Sequence, residues 1–193
     1  NGYFDSRLER RRVAVVQAAK TADIDVAWTS GERYRFGDVR FSEVQFPEEF
    51  LRRYIPWEPD AYYSTEQILT LQQGLVDADY FSSVAVQPNL GAKADVHMPI
   101  EALLIPAKRT VYKAAAYVST DTGAGVRLGV DRRWLNERGH KFGGKIDYAT
   151  KLEEYGLYYR IPRPARNNRN FNFAGGYKDE ETDTSRSQMA KLA

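Results

Sequence analysis

In the stretch Val126-Arg127-Leu128-Gly129-Val130-Asp131, apolar and polar residues alternate without a break. A period of two places Val126, Leu128 and Val130 on one face of a strand and Arg127, Gly129 and Asp131 on the other. The texture extends in both directions. Before it, Tyr112, Ala114, Ala116 and Val118 alternate with Val111, Lys113, Ala115 and Tyr117, up to a turn at Asp121-Thr122-Gly123. After it, Phe142, Gly144, Ile146 and Tyr148 oppose Lys141, Gly143, Lys145 and Asp147, beyond a turn at Asn136-Glu137-Arg138-Gly139. Leu157, Tyr159 and Ile161 oppose Tyr158 and Arg160, and Phe171, Phe173, Gly175 and Tyr177 oppose Asn172, Ala174 and Gly176. The pattern predicts five hairpin-linked strands, a loop over 179–183 and the onset of a sixth strand over 185–193.

Two architectures give this alternation. A membrane barrel has an apolar outer face, a wet lumen and aromatic residues near its strand ends, here Tyr117, Trp134, Tyr148, Tyr159 and Tyr177. A soluble antiparallel meander with one buried face reads the same way. Five strands are too few to close a membrane barrel, so the barrel reading expects further strands outside this stretch.

Upstream of residue 108 the texture changes. Residues 33–41 alternate, with Gly37 at a phase slip that suggests a bulge. Pro47-Glu48-Glu49 marks a helix start, with Phe50, Leu51, Tyr54 and Ile55 as its apolar face and Pro56 as its end. Ser64 and Gln67 fit a capping box, and Ile68, Leu71, Leu75 and Val76 recur at helical spacing. Residues 83–87 and 96–105 read as two more strands. The order strand, helix, helix, strand, strand makes a small α+β module.

The dipeptide Tyr80-Phe81 repeats Tyr3-Phe4 at a distance of 77 residues, and a β-branched run follows each copy, Val13 to Val16 in the first. This predicts that the first 30 residues close a preceding module of the same kind, with 23–28 as its last strand. The short connection at Thr29-Ser30-Gly31-Glu32 restricts the relative orientation of consecutive modules. The opening Asn1-Gly2-Tyr3-Phe4 shows no secretory signal, and the chain reads as an excised piece.

Composition excludes several chemistries. The 193 residues include no cysteine, so disulfides, thiolate metal sites and cysteine nucleophiles are impossible in this chain. With 28 Lys plus Arg against 26 Asp plus Glu, the net charge of +2 gives little drive to bind nucleic acid. No apolar run is long enough for a membrane helix. The two histidines, His97 and His140, do not have metal-ligand spacing. No phosphate loop, dinucleotide fingerprint or nucleophile elbow occurs, and the expectation is a protein with no cofactor that is not an enzyme. Arg10-Arg11-Arg12 reads as the solvated start of a strand.

Ser30-Gly31-Glu32-Arg33-Tyr34-Arg35-Phe36-Gly37, Tyr80-Phe81-Ser82-Ser83-Val84-Ala85-Val86 and Val118-Ser119-Thr120-Asp121-Thr122-Gly123, together with Gly2-Tyr3-Phe4-Asp5-Ser6, resemble the TamA family, outer-membrane subunits of translocation and assembly modules related to BamA. The family pattern has Pro-Arg where this chain has Ala124-Gly125. The resemblance implies the C-terminal part of one POTRA module over 1–30, a complete POTRA module over 31–107, and the first strands of a sixteen-stranded outer-membrane barrel over 108–193. It implies an assembly factor of a Gram-negative outer membrane, with its POTRA modules in the periplasm, a TamB-like inner-membrane partner, autotransporters or other β-barrel clients, and outer-membrane lipid around the barrel. It places Ser83, Val84, Ala85, Val86 and Gln87 at a sheet edge open to β-augmentation by a client strand. It also makes the first barrel strand, with Val111, Tyr112, Lys113, Ala114, Ala115, Ala116 and Tyr117, one side of a weak seam, which its poor strand formers would suit. The alternative from another class is a soluble periplasmic polypeptide-binding module with a small β-domain.

Overall fold

The computed structural model describes residues 2–92, 94–163, 170–181 and 185–193. Its elements, in chain order, are strands β1 (Arg7–Val16), β2 (Thr21–Thr29) and β3 (Arg35–Phe41), helices α1 (Glu48–Arg52) and α2 (Thr65–Asp77), strand β4 (Phe81–Pro88), a 3-10 turn over Leu90–Ala92, and strand β5 (His97–Pro106). Six further strands follow: β6 (Thr110–Ser119), β7 (Gly123–Arg132), β8 (Lys141–Ala149), β9 (Leu152–Pro162), β10 (Asn170–Glu181) and β11 (Arg186–Leu192). They form three sheets: the pair β1-β2, a three-stranded sheet in the order β3-β5-β4, and a six-stranded antiparallel meander running β11-β10-β9-β8-β7-β6.

The chain divides into two compact units. The first comprises residues 1–40, 57–70 and 86–102. Its centre is aromatic: Phe36 stacks on Trp57 with centroids 4.0 Å apart, and Tyr63 lies 5.2 Å from Phe36. Phe4 packs edge-on against Tyr34 and Tyr63, and the Tyr34 hydroxyl donates to Asp5 at 2.6 Å. Gly37 sits where the backbone of Met98 and Pro99 passes 3.1 Å from the place a Cβ would take, so a close approach of two strands requires glycine there. β1 begins at Arg7, earlier than the run of valines suggests, and takes in Arg10-Arg11-Arg12, with Arg10 paired to Asp25 on β2. Cross-strand pairing keeps these arginines inside the ladder and not before it.

The second unit comprises residues 41–56, 71–85 and 103–193. α1 starts after Pro47, whose missing N–H would have no helical partner anyway, and buries Phe50 and Leu51. It ends at Arg52; Tyr54 and Ile55 follow as turns, their N–H groups donating to Leu51 and Arg52. α2 buries Ile68, Leu71 and Leu75, with Ala78 just beyond, a spacing of three and four that completes one apolar stripe. Val76, expected on that stripe, is 47% exposed because it lies one residue around the helix from Leu75. Asp79 closes the helix in the left-handed region, with φ 56°.

The meander carries the expected strands and turns, with one correction. Asp179, Glu180 and Glu181 belong to β10 and pair with β9 or β11; they are not a loop. Thr182 and Asp183, the rest of that expected loop, lie outside the described residues.

Candidate functional site

β4 is an edge strand, joined to the sheet by β5 alone. Ser83, Ala85 and Gln87 are exposed, Val84 is half-buried and Val86 is buried. The bonds that fix its ends, Asn89 N–H to Pro99 carbonyl at 2.8 Å and Ala107 N–H to the Tyr80 carbonyl at 3.0 Å, run toward β5. The opposite edge of the sheet is different. On the outer side of β3, Phe36 N–H donates to the Ala61 carbonyl at 2.9 Å and Tyr63 N–H to the Tyr34 carbonyl at 2.9 Å.

β6 is the terminal strand of the meander, paired only with β7. Its register sets Tyr112, Ala114 and Ala116 opposite Val130, Leu128 and Val126, and Val111, Lys113, Ala115 and Tyr117 opposite Asp131, Gly129, Arg127 and Gly125. Continued through β7-β8 and β8-β9, this pairing gathers one apolar face, with Leu128 against Ile146 and Val126 against Tyr148, and one polar face, with Arg127 against Asp147. The burial is inverted relative to a water-soluble sheet: Ile146 and Tyr148 are 45% and 53% exposed, while Asp147 and Lys141 are buried. Polar groups on the inner face satisfy one another across strands. Arg127 donates from Nε to Asp147 at 2.6 Å, Lys113 pairs with Asp131 at 2.7 Å, Tyr158 donates to Asp131 at 2.8 Å, and Lys145 pairs with Glu154.

Two residues expected in an aromatic belt sit elsewhere. Tyr117 lies on the polar face, where its hydroxyl donates to Asp147 at 2.5 Å, because it shares the parity of Lys113 and not that of Val118. Trp134 is buried in the second unit beside Phe46, with centroids 6.0 Å apart.

Within the second unit the turn after β7 is locked to the end of α2. The Tyr80 hydroxyl donates to the Gly139 carbonyl at 2.6 Å. Lys141 lies over the Tyr80 ring at 4.6 Å and donates to the Ala78 carbonyl at 2.5 Å, so an ammonium satisfies one of the carbonyls left open at the helix end. Arg133 contacts both oxygens of Asp79 at 3.1 Å. Phe46 and Phe50 complete the packing around Tyr80. None of this lock is expected from the motifs; the signals for it are the repeated Tyr-Phe dipeptide and the glycine of Asn136-Glu137-Arg138-Gly139. In the first copy the packed ring is the second of the pair: Phe4 lies against Tyr34 and Tyr63, while Tyr3, the counterpart of Tyr80, is 45% exposed.

The two histidines have separate partners. His97 pairs with Asp60 at 3.0 Å, and His140 Nδ1 meets the Tyr159 hydroxyl at 2.7 Å. Among the described residues, no group of three or more His, Asp or Glu could hold a metal ion, and no helix is long and apolar enough to cross a membrane.

The family described as surface antigen variable number repeat, POTRA, matches residues 34–101. Among solved structures, BamA from Haemophilus ducreyi lacking POTRA domains 1–3 superposes with a TM-score of 0.74 at 14% identity, over 99% of this chain and 37% of that one. CdiB from Acinetobacter baumannii gives 0.59 at 12% identity, over 99% of this chain and 38% of its own. The chain thus spans less than two fifths of the length of either protein. Residues 34–101 are a POTRA domain, and the antiparallel strands that follow have the fold of the opening of a BamA-type barrel.

Proposed function

We propose that this chain is part of a TamA-like, non-enzymatic factor that inserts or secretes β-barrel proteins at the outer membrane of a Gram-negative bacterium. In this reading residues 1–30 close one POTRA module, 31–107 form the next, and 108–193 begin the barrel. The POTRA modules lie in the periplasm and reach a TamB-like inner-membrane partner, and autotransporters are among the clients. Free energy comes from client folding and burial in lipid.

The observation that carries this reading is the inverted meander: Leu128, Ile146, Tyr148, Leu157 and Phe173 exposed on one face, and an ion-paired face opposite, ending in an edge strand. An apolar surface of that extent is unfavourable in water and suits hydrocarbon. The free backbone groups of β6 and β4 can pair with an extended client without demanding a particular side chain, which fits clients of diverse sequence. Its Lys113-Ala114-Ala115-Ala116 run makes β6 a weakly held partner for the strand that closes the barrel.

The test is a disulfide between β6 and the last barrel strand of the full-length protein. It should block client insertion, and insertion at the unlocked rate with the bond fully formed overturns the reading. Loss of solubility without detergent, with heat-modifiable gel mobility, separates it from a soluble polypeptide-binding module.

A further inference from the structure

The middle of β6 is poor in register information. Ala114 faces Leu128 and Ala116 faces Val126, so sliding β6 by two residues would again set methyl groups against aliphatic side chains and keep each face on its own side. Register must therefore be specified from the polar face, and two ties are present there.

At one end, Tyr117 lies opposite Gly125, and a Cβ on Gly125 would fall 2.7 Å from the Tyr117 ring. The empty space over that glycine lets the ring cross β7 and donate to Asp147 of β8 at 2.5 Å, a carboxylate already held by Arg127. At the other end, Lys113 pairs with Asp131 at 2.7 Å, and Asp131 also accepts from Tyr158 of β9 at 2.8 Å. Tyr158 lies over a second glycine, Gly143, which it faces in register. A slip in one direction drives Tyr117 onto Arg127; a slip in the other carries it away from Asp147 by two strand rises, roughly 7 Å.

We infer that Tyr117 and Lys113 are positioning residues that fix the register of β6, and through it the height at which the free edge of β6 meets a client strand. The inference rests on the proposed function above. A barrel's apolar band is about 25 Å tall, so a client paired about 7 Å out of place would leave apolar side chains in water and polar ones in lipid.

The experiment uses the full-length protein in proteoliposomes, with an autotransporter barrel as the client and one cysteine pair introduced at a time. The 193 residues carry no cysteine, and any native cysteine elsewhere in the full-length protein is first replaced by serine. The pair Ala116→Cys with Val126→Cys reports the observed register, and Ala114→Cys with Val126→Cys reports a two-residue slip. Adding Tyr117→Phe, which keeps the ring and removes one hydrogen bond, should raise the slipped crosslink relative to the observed one about fivefold. Adding Lys113→Gln as well should raise it further and slow client insertion in proportion. Closing the 116–126 disulfide in that double variant should restore insertion. An unchanged crosslink ratio, or slow insertion that the disulfide leaves slow, overturns the inference. The lock between β6 and the last strand reads the gate separately: if it blocks insertion while the crosslink ratio ignores Tyr117 and Lys113, the inference fails and the function stands.

Discussion

Tyr80 and Gly139 are 59 residues apart in sequence, and the hydroxyl of the first donates to the carbonyl of the second at 2.6 Å. The bond joins the segment that follows α2 to the turn that follows β7, and both sides of it are built for the purpose. Gly139 has φ 72°, and a Cβ there would lie 2.5 Å from the Tyr80 oxygen and 2.7 Å from Phe50. Gly139→Ala should therefore destabilise the protein by about 1–3 kcal/mol, from backbone strain and collision together. Tyr80→Phe should cost about 1–3 kcal/mol by leaving the Gly139 carbonyl without its partner. Urea unfolding followed by Trp134 fluorescence checks both, and a shift of neither midpoint refutes the lock.

Alkaline pH should loosen the aromatic packing. Burial pushes the Tyr54 phenol up from 10.0 to about 12, raises that of Tyr63, and raises that of Tyr80 further, helped by the nearby Tyr54 and Asp79. Above pH 10 the unfolded chain releases phenolic protons that the folded chain retains, so stability is complete below that pH and falls as pH rises. Tyr54 alone should remove on the order of 2 kcal/mol by pH 12. Unfolding midpoints measured from pH 8 to pH 12 give the slope, which Tyr54→Phe should reduce; an unchanged slope in that variant rejects the assignment.

On the inner face of the meander, Asp147 is 2% exposed and takes its charge compensation from Arg127. Arg127→Ala leaves that carboxylate with the Tyr117 hydroxyl and only the weaker field of Lys145, and should lower the temperature at which heat-modifiable mobility is lost. Asp147→Asn combined with Arg127→Ala should recover part of the loss, since the uncompensated charge is then gone. Equal loss in the single and double variants would show that the pair contributes packing alone.

Spin labels divide the two faces. At Leu128 and Ile146 a nitroxide should be relaxed by oxygen, which concentrates in hydrocarbon, and at Lys145 by a water-soluble nickel reagent. Nickel accessibility at Leu128 and Ile146 would place that face in water and end the barrel interpretation.

Much of the meander is legible because a strand with one apolar and one polar face must alternate, and Asp121-Thr122-Gly123 or Asn136 to Gly139 then marks each reversal. The rule fails where its cause stops. At Asp179, Glu180 and Glu181 both faces carry charge, so the pattern reads as a loop although the ladder continues to Arg186. Arg186 and Gln188 reach Asp179 across that ladder at 2.8 and 2.9 Å, contacts that no local pattern announces. Tyr117 shows a different failure: its nearness to a strand end suggests a belt, whereas parity alone puts it on the charged side. The edge positions of 83–87 and of β6 depend on strand order, which the resemblance supplied and periodicity did not. The lock around Tyr80 joins residues about sixty positions apart and shows in the sequence only as a repeated dipeptide and a glycine.

The guarded flank of β3 has a consequence of its own. Ala61 and Tyr63 already occupy the hydrogen-bonding groups that Tyr34 and Phe36 would otherwise offer. Fibres of stacked sheets need two adhesive margins on every unit; on the proposed reading a client strand adds at β4, while the start of the β3 margin is already taken by 61–63. Acceptance of a foreign strand and resistance to runaway polymerisation would then fall to opposite sides of the same three strands.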